Sequence, residues 1–168
     1  MEEYSYAWLL LTSHSSLRKA MDLILWRHAD AEEGYPDLAR QLTGKGHRQA
    51  EAMAKWLRAR LPKETLILVS PAARAQQTAQ ALTSHYQTVN EIGPGADHRA
   101  IVKAAGWPGS KSAVLIVGHQ PTLGQAVGSL LCDDPSDWHI KKGAVWWLTQ
   151  KGTDAPVFLQ AAIPPDLV

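Results

Sequence analysis

The chain of 168 residues carries 17 lysines and arginines against 16 aspartates and glutamates, and 45% of it is hydrophobic. That length suits one domain burying roughly 70% of the surface its unfolded form would expose, and the net charge of +1 excludes a global field that would draw nucleic acid or an anionic membrane surface. Any anion site must be local, and the single cysteine, Cys132, excludes an internal disulfide or a cysteine-rich zinc site and fits a reducing cytoplasm.

The stretch "YAWLLLTSHSSLRKA" does not read as a secretion signal, because Glu2 and Glu3 stand where positive charge is needed and the apolar run from Ala7 to Leu11 is short. No stretch approaches the ~20 apolar residues of a membrane span. Met21 lies immediately before the first strand pattern, so residues 1–20 are read as an extension of unassigned role and 21–168 as a single domain. Three apolar runs with little alternation, "DLILW" (22–26), "TLILVS" (65–70) and "AVLIVGH" (113–119), predict parallel strands covered on both faces.

Helical patterns separate them. Residues 42–61 have Thr43 as N-cap, apolar positions at Ala50, Met53, Ala54, Leu57 and Leu61, and Pro62 as a stop. Residues 70–86 place Ser70 at the N-cap and Pro71 at the first helical position, and residues 120–131 form a third helix. "PGADHR" and "GWPGSKSA" read as loops. At the end, 143–150 and 155–163 joined by "KGTD" predict a hairpin at the sheet edge, with Trp146 and Trp147 packing on the sheet. Strand alternating with helix gives an α/β domain, three layers deep, around a mostly parallel sheet.

In such a sheet ligands bind outside the carboxyl ends of the strands. The first strand delivers Arg27 and His28 there, the second leads into a helix whose start carries Arg74, and the third delivers His119. Arginine offers a planar fork of donors to phosphate oxygens, and a neutral imidazole can attack phosphorus. These residues make a pocket for a phosphoryl group. The "GKGHRQ" stretch lacks the spacing of a P-loop and reads as a solvated helix start.

The blocks "LWRHADA", "RQLTGKGHRQA", "VSPAARAQQTA" and "IVGHQPTL" resemble, in order, the signatures of the histidine phosphatase superfamily, the phosphoglycerate mutase-like fold. The resemblance spans most of residues 22–163. It implies that His28 is the nucleophile forming a phosphohistidine intermediate, and that Arg27, Arg74 and His119 hold the phosphoryl oxygens. It implies no metal and no cofactor. The small size, the short spacings and Ala29 in place of the motif's glycine resemble the compact SixA-type protein phosphohistidine phosphatases. In that reading His28 is neutral, whereas a protonated His119 would serve as an anion ligand.

The general acid that larger members use to protonate the leaving oxygen has three possible positions here, Glu91, Asp97 and Asp30, with Glu91 the first choice. A phosphohistidine leaves as imidazole, whose conjugate acid has a pKa of about 6.5, and so asks less of such an acid than an alcohol does. The expected substrate is therefore phosphohistidine on a protein. Small phosphate monoesters, or recognition of phosphorylated partners with little turnover, are the alternatives.

Overall fold

Residues 20–110 and 112–168 are described by the computed structural model, so the expected N-terminal extension lies outside the described residues except for Ala20. Six strands form one sheet: β1 (Met21–Arg27), β2 (Leu66–Val69), β3 (Gln87–Thr88), β4 (Val114–Gly118), β5 (Val145–Gln150) and β6 (Val157–Ile163), in the order β3-β2-β4-β1-β5-β6. The first four run parallel to one another. β5 joins β1 antiparallel and forms a hairpin with the edge strand β6, as the sequence leads one to expect.

Side chains alternate faces along a strand, and here both faces are apolar because both are covered. Leu23 and Leu25 of β1, with Val114 and Ile116 of β4, pack in one cluster with Ile101, Leu123 and Val127. These partners come from α3 (His98–Ala104) and α4 (Thr122–Cys132). Ile24, Trp26, Leu115 and Val117 point the other way and pack with Met53, Leu57 and Ala75 of α1 (Gly44–Arg58) and α2 (Ala73–Gln80). The result is the three-layer α/β/α arrangement. Burying each such large aliphatic side chain contributes roughly 1.5–3 kcal/mol relative to leaving it exposed.

α1 starts as expected, with the Thr43 side chain accepting from the Gly46 backbone N–H at 2.9 Å, but its last turn loosens after Arg58. Two local expectations are corrected. The N-cap of α2 is Ala72, not Ser70, whose hydroxyl lies 2.7 Å from His119 Nε2. The end of "PGADHR" is not loop: His98 opens α3, whose N-cap Asp97 accepts from the Arg99 backbone N–H at 2.7 Å. Among the described residues no helix is long and apolar enough to cross a membrane.

Candidate active site

Because β1, β2 and β4 are parallel neighbours, their carboxyl ends lie side by side, and the residues just beyond them meet. The His28 backbone N–H donates to the Gly118 carbonyl at 3.0 Å, which ties the end of β1 to the end of β4. The His28 and His119 rings stand 5.1 Å apart, centroid to centroid. With Arg27 and Arg74 they line one cavity of about 530 Å³.

Each side chain is held by its surroundings. His28 Nδ1 lies 2.7 Å from the Ala29 carbonyl oxygen, which can only accept. Nδ1 therefore carries the proton, and in the neutral ring the lone pair sits on Nε2. Arg27 donates through Nη1 to the Ile140 carbonyl at 2.6 Å. Arg74, 4% exposed, donates Nη1 to the Asp37 carbonyl at 2.7 Å and Nη2 to its carboxylate at 2.9 Å. Among the described residues, the buried Nε atoms of both arginines and Nδ1 of His119 have no hydrogen-bond partner. Thr78 joins two of the blocks: its hydroxyl donates to the Arg74 carbonyl at 2.7 Å and accepts from the Ala29 backbone N–H at 3.1 Å.

Residues 23–107 match the sequence profile of the histidine phosphatase superfamily (branch 1). The chain belongs to that superfamily. It is 32% identical over 120 residues to the phosphohistidine phosphatase SixA of Escherichia coli K12, covering 66% of this chain and 74% of that protein. A structure reported as a candidate SixA from Nakamurella multipartitia superposes with a TM-score of 0.72 at 33% identity, covering 86% of this chain and 96% of the other. A phosphoserine phosphatase mutant from Entamoeba histolytica, in complex with phosphoserine, shares the fold with a TM-score of 0.66 at 14% identity, covering 84% of this chain and 96% of that one. The protein is thus a histidine-dependent phosphatase of SixA type on a phosphoglycerate mutase-like fold.

The electrostatics of the phosphatase correct one expectation about its two histidines. Burial, with Arg74, Arg27 and Lys142 nearby, lowers the pKa of His28 to about 4, against the opposing pull of the Ala29 carbonyl. Burial, then His28 and Arg74, lowers that of His119 to about 3. The sequence predicts a protonated His119, but burial first, and the surrounding cations after it, drive both rings the same way, and both are neutral near pH 7. Asp37, itself paired with Arg40 and Arg74, raises the pKa of His119 against those causes.

None of the three carboxylates considered as the acid lines the cavity of the phosphatase. Glu91 is exposed in a 3-10 turn, Asn90–Ile92. Asp97 caps α3. Asp30 is bonded by Lys142 at 2.7 Å and by the Thr43 hydroxyl at 2.9 Å, and the Lys142 hydrogen bond holds its pKa below the usual carboxylate value. The carboxylates that do line the cavity are Glu33 and Asp37, from the loop after β1. Sequence reasoning missed both, and also the part played by Ser70. A loop that leaves a catalytic strand end and returns over it was the available signal, but the pairing of Asp37 with Arg74 has no local signature.

Proposed function

We propose that this phosphatase removes phosphoryl groups from phosphohistidine on a protein, in the cytoplasm and without a metal ion, by way of a covalent intermediate on His28. The hydrogen bond from His28 Nδ1 to the Ala29 carbonyl carries the reading, because it leaves Nε2 as the nucleophilic atom. Nε2 attacks phosphorus, the P–N bond of the substrate breaks, and the departing imidazole takes its proton from solvent. Water then attacks the phosphoenzyme, the bond to Nε2 breaks, and inorganic phosphate leaves.

Arg27, Arg74 and His119 hold the phosphoryl oxygens. The Ser70 hydroxyl accepts from the Ala72 backbone N–H at 3.3 Å and sits 2.7 Å from His119 Nε2. When the Ser70 hydroxyl donates its hydrogen bond to Nε2, the neutral His119 ring carries its proton on Nδ1. Among the described residues, the acid needed for an alcohol leaving group has no good occupant: the Arg74 and Arg40 hydrogen bonds hold the pKa of Asp37 below its usual value, so that it stays ionised. Glu33 is nearly bare to solvent, 3.4 Å from Arg40. A phosphoramidate is the substrate class that suffers least from that lack.

Hydrolysis of a phosphohistidine protein, a phosphoserine peptide and sugar phosphates, measured side by side, tests the reading. The phosphohistidine protein is expected to have the highest kcat/KM, and a marked preference for a small ester would replace it with the monoesterase alternative. His28→Ala is expected to abolish the acid-quenched phosphoenzyme and to lower kcat on the order of 10³-fold or more. Turnover without a His28-dependent intermediate would overturn the mechanism, and no turnover at all would favour a binding module.

A further inference from the structure

Beside the catalytic cavity is a second, open depression of about 670 Å³. Five lysines and arginines line it, Arg27, Lys45, Arg48, Lys141 and Lys142, against two carboxylates, Asp30 and Asp166. Arg27 and Lys142 line both hollows, so the two adjoin. One of the carboxylates is already spent, since Asp30 is paired with Lys142 at 2.7 Å. Among the described residues Lys45, Arg48 and Lys141 have no carboxylate within ion-pair distance, and all three are exposed.

In a chain whose net charge is only +1, this is a local concentration of cations. It also runs against helix electrostatics: the first turn of α1 holds no acidic residue and does hold Lys45, at the end where the macrodipole disfavours positive charge. The "GKGHRQ" stretch, which reads from sequence as a solvated helix start, therefore places its cations at the rim of the site.

We propose that this depression is a docking subsite for aspartate and glutamate side chains that flank the phosphorylated residue of a protein substrate. The inference rests on the reading that the substrate is a phosphoprotein. A site for one small anion would bury its donors and bring them together, as Arg27, Arg74 and His119 are brought together in the cavity. Here the unpaired cations, Lys45 and Arg48 from the start of α1 and Lys141 from the segment before β5, stay in solvent. That spread matches several carboxylates delivered on a protein surface, with recognition through complementary charge.

Lys45→Gln/Arg48→Gln, two exposed changes away from the catalytic groups, tests it. Steady-state rates are measured on a phosphohistidine protein with acidic residues beside the phosphorylated site, on the same protein with those residues amidated, on phosphoramidate ion and on a small bisphosphate. With the acidic substrate the double variant is expected to raise KM on the order of 10-fold with kcat little changed, a difference that fades at high salt. Phosphoramidate and the amidated protein are expected to be turned over alike by both enzymes. Equal KM for wild type and variant on the acidic phosphoprotein would overturn the subsite alone. Failure of the wild type to dephosphorylate any phosphohistidine protein would overturn the substrate reading and the subsite with it. A loss confined to small bisphosphates would assign the depression to a second phosphate instead.

Discussion

His28 and His119 are neutral for a reason that costs stability in acid. The unfolded chain binds protons at both imidazoles below the ordinary value of 6.5, while the folded protein does not until about 4 and about 3. Between those values the unfolded state holds more protons, so stability falls as the pH drops from about 6.5. For His28 alone the loss from pH 7 to pH 5 is on the order of 2 kcal/mol. Urea unfolding of wild type and His28→Asn at the two pH values is expected to show that the variant loses less; an identical drop would mean that His28 protonates in the folded protein as readily as in the unfolded one. That Arg27, His28, Arg74 and His119 meet at one cavity was legible because strand ends and ordered blocks announce them. The protonation state of His119 was not, since it depends on how deep the ring sits and how many cations surround it.

At the scale of elements, α1 is pinned to the site by the absence of a side chain. A Cβ at Gly46 would lie 1.9 Å from the Asp30 carbonyl oxygen. Nearby, the Asp30 backbone N–H donates to Gln49 Oε1 at 2.9 Å, so the helix holds the segment that follows His28. Gly46→Ala would gain about 1 kcal/mol in helix propensity, yet the clash with backbone is expected to dominate, with a net loss of about 1–3 kcal/mol and a fall in kcat. Thermal unfolding and single-turnover rates check this; a more stable, fully active variant would show that α1 and the Asp30 segment can separate freely. The start of α1 was readable from Thr43, because its capping bond is local. The start of α2 was not, because its N-cap, Ala72, has no side-chain capping bond to announce it, and α3 was hidden by a short pattern inside a stretch rich in turn residues.

For the whole molecule, stability rests on two cores separated by the sheet, and the central strand β4 feeds both. Leu115, fully buried among α1 and α2 residues, lies in β4, paired with Ile24 on one side and Ile67 on the other. Leu115→Ala is expected to cost about 2–5 kcal/mol by urea denaturation, while the folded fraction keeps its kcat; an equal loss of kcat would mean that the strand end has moved. The sheet order has a further consequence, for the timing of assembly. Leu23 of β1 pairs with Val114 and with Leu148, so the strand that carries His28 finds its neighbours only across most of the chain's length. Closing such long loops delays contact formation during folding. A nascent chain carries Arg27 and His28 early, yet the cavity they line is not assembled until its last third has emerged and settled beside them.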